Sequence, residues 1–212
     1  MMPGPNMIIS CPHCGHPAKK RTYYSWNTFG AVLWSDGKQV APMKPEIPAF
    51  VFCKKCNSLY WIKDATEVCN EENFKSFYPE EKEIEFIGFP SFFQYHKAIE
   101  LIDDKKYIRT VMLYSFNDLI RNKKEPEITQ EMQKLHEENL FELTEILDES
   151  DENDLIMKAE AYRNLGLFGM SESLLEKITD PKLDQIKEKF LAEIRKGNKK
   201  LFIIFGPAYH QK

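Results

Sequence analysis

Long apolar runs are missing from this chain of 212 residues. No segment approaches the roughly 18–20 consecutive apolar residues that span a bilayer. The densest late stretch, Leu201–Phe205 (LFIIF), is only strand-length, so no membrane role is expected. The N-terminal MMPGPNMIIS has no basic flank leading into an apolar segment, so no secretory signal is expected either. Common catalytic motifs are missing too. There is no phosphate-cradling glycine loop, no nucleophile elbow and no helical His-Glu-x-x-His pair. His96, His136 and His210 stand alone. The acidic runs Asp148–Asp154 and Pro79–Glu85 have no histidine at a useful spacing and read as solvated caps and loops. A non-enzymatic protein is the expectation.

What is present suits a folded chain. Apolar residues make up 42 %, enough to bury a core. The formal net charge of −4 argues against a general nucleic-acid binder, but it is unevenly spread. Residues 1–66 carry eight Lys/Arg and three Asp/Glu, a balance of +5, which leaves 21 basic and 30 acidic residues, or −9, for the rest. Such asymmetry predicts two units with different surfaces.

Cysteine is sparse and patterned. Four of the five cysteines form two Cys-x-x-Cys pairs, Cys11/Cys14 and Cys53/Cys56, with 38 residues between the pairs. A cytoplasmic location is expected, and in a reducing compartment such pairs favour metal over disulfides. Two intervening residues let both thiolates of one turn reach a single ion, and two turns complete a tetrahedron. Residues 8–63 resemble the zinc-ribbon family, whose four cysteines these match one for one. The spacing is about twice the usual ribbon interval of roughly 15–20 residues. A hairpin around Ser35-Asp36-Gly37 and the proline-rich loop 41–48 account for the excess. The resemblance implies one structural Zn2+ held by Cys11, Cys14, Cys53 and Cys56. A closed four-thiolate shell leaves no position for an activated water, so zinc hydrolase chemistry is not expected. Three other readings stand beside it: two unrelated pairs of buried thiols, a redox dithiol lacking its usual βαβ context, or replacement of one ligand by His13 or His16. Cys69 reads as a small half-buried hydrophobe.

Lys19, Lys20 and Arg21 lie beside Tyr23, Tyr24 and Trp26, with Phe29 and Trp34 nearby. Basic and aromatic side chains together can hold phosphates and stack on unpaired bases. The same aromatics can instead cover the metal turns or pack on a neighbouring domain. That structural alternative predicts burial of Trp26 or Trp34.

From residue 92 the apolar period becomes helical, as in Ile108, Val111, Met112, Phe116 and Leu119. Helices are predicted over 92–103, 105–122, 129–148, 151–165, 170–178 and 182–197. Within them, Leu155–Leu175 resembles one tetratricopeptide repeat. Leu155, Ala159, Tyr162, Gly166, Ser171 and Leu175 occupy the signature positions, whereas Lys158 departs from an apolar position and Pro181 falls two residues early. A generic helical bundle is the alternative. The fold class is therefore α+β: an antiparallel β zinc-ribbon module over 1–66, a connector over 67–91, and a tetratricopeptide-like array of helical hairpins over 92–212. This order resembles a group of bacterial proteins for which it implies no particular activity. The expected function is that of a zinc-binding interaction or adaptor protein with a protein partner. Single-stranded nucleic-acid binding is the alternative, and an enzyme of unrecognised type comes third.

Overall fold

The computed structural model describes residues 1–207. In chain order these form strands β1 (Met2–Pro3), β2 (Met7–Ser10), β3 (Pro17–Lys20), β4 (Tyr23–Ser25), β5 (Val32–Trp34), β6 (Gln39–Val40), β7 (Phe50–Phe52), β8 (Leu59–Trp61) and β9 (Thr66–Asn70). Helices follow: α1 (Phe74–Phe77), α2 (Phe92–Ala98), α3 (Lys105–Arg121), α4 (Gln130–Ile146), α5 (Glu152–Leu165), α6 (Phe168–Glu176) and α7 (Asp184–Arg195), then a last strand, β10 (Ile203–Phe205). The architecture is mixed α+β. Two compact units result: Met1–Phe29 with Ala41–Ser91, and Gly30–Val40 with the chain from Phe92 onward.

In the first unit, β2 lies between β3 and β9 in an antiparallel sheet, with Met7 opposite both Lys20 and Asn70. Successive side chains of a strand point to opposite faces, yet Ile8 and Ile9 are both buried, so this central strand is covered on both sides. A second hairpin, β7–β8, pairs Phe50 with Trp61 and Phe52 with Leu59. Ile9, Val51, Tyr60 and Ile87 form a small shared core. The two hairpins are stitched by residues 85–88: the Lys19 amide donates to the Glu85 carbonyl at 2.8 Å, and the Phe52 amide donates to Gly88 at 3.1 Å. Gly88 is required there, because a Cβ would lie 2.3 Å from the Phe52 ring.

The second unit is helical. Asp104, Thr129 and Asp151 accept hydrogen bonds from the first free amides of α3, α4 and α5, as residues that start helices do. Gly166, at φ +81°, ends α5 in the left-handed conformation. Each helix from α2 to α7 packs on its successor. Leu155, Ala159, Tyr162 and Leu175 are buried in one core with Phe190 and Ile204. Ala159 and Ser171 let α5 and α6 approach so closely that the Ser171 hydroxyl donates to the Ala159 carbonyl at 2.7 Å. The first helix is shorter than predicted, ending at Ala98 rather than 103.

The expected boundary at 66 is displaced, whereas the second unit takes up the chain again from Phe92. β9 and residues 85–88, read as connector, belong to the first unit because they pair with its strands. The hairpin β5–β6, read as a ribbon insertion, belongs to the second, where β10 pairs with β5. Its turn is buried. The Ser35 hydroxyl donates to Glu160 Oε1 at 2.6 Å, and Glu160 is clasped by Arg163 through two bonds of 2.8 Å. Both members of this ion pair are fully enclosed. Burial pushes the Glu160 carboxyl up, while Arg163 and Ser35 oppose the shift. Asp36 is 1 % exposed; it pairs with Arg121 and accepts from Asn117 Nδ2 at 2.8 Å.

Removing one partner of a buried ion pair leaves an uncompensated charge. Asp36→Ala should therefore cost about 3 kcal/mol, the low end for such a change, because Asp118 still holds Arg121. Chemical denaturation followed by helical circular dichroism measures this. A cost near zero would mean that the hairpin is not anchored through Asp36.

Candidate metal centre

Each cysteine pair occupies the turn of one hairpin, and the two turns are built alike. The Cys11 amide donates to the His16 carbonyl at 2.9 Å, and the Gly15 amide donates to Cys11 at 2.9 Å. In the other turn, the Cys53 amide donates to Ser58 at 2.9 Å and the Asn57 amide to Cys53 at 2.8 Å. The residue after each second cysteine has a positive φ: Gly15 at 69° and Asn57 at 58°. Glycine meets no Cβ clash there, and asparagine is among the few other residues that tolerate that region. In both turns the first cysteine is buried and the second exposed.

The four sulfur atoms lie within 4.8 Å of one another. Cys11 Sγ is 3.8 Å from Cys56 Sγ, and Cys14 Sγ is 3.7 Å from Cys53 Sγ. A tetrahedron with metal–sulfur bonds of about 2.3 Å has edges of about 3.8 Å. The donors thus fit one soft cation held equally by both turns. Disulfides, at about 2.05 Å, are ruled out, and all five cysteines are free.

The thiols differ in acidity. The Ser58 hydroxyl, which Cys56 Sγ meets at 3.3 Å, and the Ser58 backbone stabilise the Cys56 thiolate and pull it down to about 6. The His16 amide favours the Cys14 thiolate, but desolvation and the neighbouring thiols of Cys56, Cys53 and Cys11 outweigh it and push Cys14 up to about 12. Burial raises Cys11. Burial and then the thiolate charges push the Tyr60 hydroxyl up to about 12. One thiolate forms readily, and its charge resists formation of the rest until a cation arrives.

His13 and His16 are outside this cluster. His13 is exposed, its ring set edge-on to Tyr60 at 6.3 Å, and His16 is half-buried. Cys69 is half-buried in β9, opposite Ile8. Ser58 and Tyr60 went unread in the sequence. The Ser-after-Cys-x-x-Cys-x spacing could have flagged Ser58.

Of the basic aromatic cluster, Lys20, Arg21 and Tyr23 line one cleft with Phe86, whereas Trp34 belongs to the other unit. Lys19 pairs with Glu71 at 2.9 Å and Lys20 with Glu67 at 2.7 Å, while the Arg21 guanidinium sits 4.7 Å from the Phe86 ring centre. Tyr23 is half-buried and Trp26 is 50 % exposed. Trp34 belongs to the second unit, half-buried, with Arg121 at 5.5 Å from its ring. Burial of one tryptophan was expected, and neither is buried: Trp26 is half exposed, and Trp34 is half-buried with a guanidinium against its ring. The +5 balance of residues 1–66 also dissolves. The first unit holds nine Lys/Arg (19, 20, 21, 44, 54, 55, 63, 75, 82) against nine Asp/Glu (46, 64, 67, 71, 72, 80, 81, 83, 85).

Elsewhere, Asp154 in the acidic run 148–154 is buried and paired with Lys106 at 2.6 Å, not solvated. His136 is buried and stacked on Phe116, and His210 lies outside the described residues. No helix among the described residues is long and apolar enough to cross a membrane.

Because protons compete with metal for thiolates, bound metal should be lost as pH falls below about 6, where Cys56 protonates even in the metal-free state. In metal-free protein at neutral pH, Cys56 should alkylate before Cys14, and Ser58→Ala should slow Cys56 and narrow the difference. Mass spectrometry of alkylated peptides reads both. Equal rates for Cys14 and Cys56 in the parent protein would contradict the assigned acidities. The geometry stands by itself: no protein-family model, no curated protein and no solved structure matches the chain.

Proposed function

We propose that Cys11, Cys14, Cys53 and Cys56 hold one structural zinc ion, and that the protein works as a non-enzymatic interaction or adaptor protein. The observation that carries the metal assignment is the matched pair of turns whose sulfurs stand 3.7–3.8 Å apart across the cluster. Four thiolates in a tetrahedron select zinc or iron–sulfur chemistry, and the pattern of two short turns in separate hairpins is that of a zinc ribbon. A filled four-thiolate shell binds no substrate, so its role is to fix the fold. The free thiols suit a reducing compartment, and on that basis a cytoplasmic site of action is proposed.

The adaptor reading is supported by the order of helix packing and by the burial of Leu155, Ala159, Tyr162, Ser171 and Leu175, the positions of a tetratricopeptide-like hairpin. Arrays of such hairpins present extended surfaces to protein partners. Nucleic-acid binding by the first unit is the second reading, favoured by exposed Tyr24, Trp26 and Phe29. It is weakened because Lys19 and Lys20 are already paired with carboxylates and the unit's acidic and basic residues balance. A loaded site adds a further formal charge of about −2, from four thiolates and one divalent ion.

Metal analysis together with visible absorption tests the first claim. About one zinc per chain and no absorption from iron is the expected result. Colour from iron, or no metal in protein never exposed to chelator, overturns it. Cys53→Ser should release the ion and loosen the first unit while helical signal persists. For the second reading, single-stranded DNA should bind no tighter than about 10 μM at physiological salt, weaker than specific recognition gives. Tighter binding, abolished in a Lys19/Lys20/Arg21→Ala triple variant that keeps its metal, would reverse the ranking.

A further inference from the structure

We propose that the helical unit carries a second site, a cleft for a small organic anion, bounded by the ammonium groups of Lys199 and Lys200 and floored by the buried imidazole of His136. The cleft has a volume of about 370 Å³ and is lined by α3, α4, the end of α5 and residues 199–201. That volume is in the range of sites that take molecules of metabolite size, about 300–1,000 Å³. The proposal is independent of the metal centre, since every lining residue lies in the second unit.

His136 is the first observation. Its ring is 4 % exposed and stacked on Phe116 at 3.7 Å with an interplanar angle of 5°. Its Nδ1 is enclosed and has no hydrogen-bond partner. Buried polar atoms in folded proteins are almost always satisfied, so an orphan at a cleft wall calls for a partner from outside the chain. Burial pulls the imidazole down to about 3, so at neutral pH it is uncharged and offers one donor and one acceptor. Such a group recognises a polar atom of a ligand without demanding a charge.

Charge at the mouth is the second observation. Lys199 and Lys200 both line the cleft, and neither has a carboxylate within ion-pair distance among the described residues. Glu137 is the one carboxylate in the lining, and it accepts a hydrogen bond from Gln133 at 2.8 Å. The local balance is one positive charge in excess. The end of the Lys199 side chain lies against Gly166, where a Cβ would be 2.4 Å from its Cε and 2.5 Å from its Nζ. The glycine that ends α5 thus leaves room for that side chain. The wall between cations and imidazole includes Leu140 and Leu165. A phosphate or carboxylate head at the lysines, a short apolar body and a polar atom at His136 form the matching ligand. Lysine engages either head group as a point charge.

Titration of the full-length, metal-loaded protein, read by the carbon-bound ring signals of its histidines, tests this. The probes are inorganic phosphate and citrate, with choline chloride at matched ionic strength as the control. His136→Phe, which keeps a ring on Phe116, assigns the His136 signal. The expected result is a saturable shift of that signal with phosphate or citrate and none with choline. The double variant Lys199→Ala/Lys200→Ala should weaken the response by about tenfold or more, as loss of two charge-assisted contacts demands. Both lysines are exposed, so this variant tests the site even if His136→Phe fails to fold. No saturable shift with either anion overturns the proposal. So does a shift of equal strength in the double-lysine variant, which marks an adventitious ion only. Whichever anion saturates at lower concentration identifies the head group.

Discussion

Four cysteine sulfurs gathered within 4.8 Å would repel one another as thiolates, and a cation among them would turn that repulsion into a cross-link. The two hairpins of the first unit belong to separate sheets, joined by the backbone bonds of residues 85–88 and by a core of a few side chains around Ile9, Val51 and Tyr60. A unit this small buries too little apolar surface to hold itself firmly. One sulfur pair from each hairpin supplies the missing connection, which is why two turns of different sequence, CPHCGH and CKKCNS, take the same hydrogen-bonded shape. Geometry at the ion fixes the turn, and the turn demands the positive φ that Gly15 and Asn57 provide.

The second unit uses charge in the opposite way, burying it without a metal. Glu160 and Arg163 sit one turn apart on α5 and are both sealed from solvent. Each would be costly alone, and each is satisfied because chain distant in sequence comes to it. Ser35 reaches Glu160, while the carbonyls of Asn198 and Lys200 accept from Arg163. Asp36 is held by Arg121 and Asn117. Apolar contacts tolerate sliding, but hydrogen-bonded charges do not. These pairs therefore fix where the hairpin β5–β6 and the strand β10 lie on the helices, giving position more than stability.

Much of this was legible in the residues. Cys-x-x-Cys repeated twice named the four sulfurs that the fold gathers within 4.8 Å, because that spacing lets both thiols of a turn face one point. The cap Asp151, the start at Thr129 and the stop at Gly166 marked helix ends within a residue or two, since they answer local hydrogen-bonding needs. What escaped notice was non-local. Ser35-Asp36-Gly37 reads as an ordinary solvated turn, and nothing in three polar residues says that two of them meet Glu160 and Arg121 across the chain. Glu160 and Arg163, three apart on a helix, look like a surface ion pair. β9 (TEVCN) lacks clean alternation because β2 supplies most of its pairing partners and its own faces are only half covered. Burial decided these cases, and burial is set by the partner, not by the segment.

Moving Gly30–Val40 and 67–91 across the expected boundaries changes the electrostatic argument as well as the map. A module with an excess of five positive charges invites a polyanion. The unit as folded has none in excess: nine basic residues meet nine acidic ones, and Lys19, Lys20 and Lys54 are paired with its own carboxylates. The apparent basic stripe came from cutting the chain before the acidic residues that neutralise it. Lys199 and Lys200, which composition alone did not single out, are two cations at a cavity with no carboxylate partner among the described residues. They follow Gly197, the residue that ends α7, on a segment whose carbonyls at Asn198 and Lys200 are tied to Arg163. The buried ion pair that positions the hairpin thereby also fixes the backbone from which those two ammonium groups extend. Arg163 thus serves both the buried hairpin contact through Glu160 and the segment that carries Lys199 and Lys200.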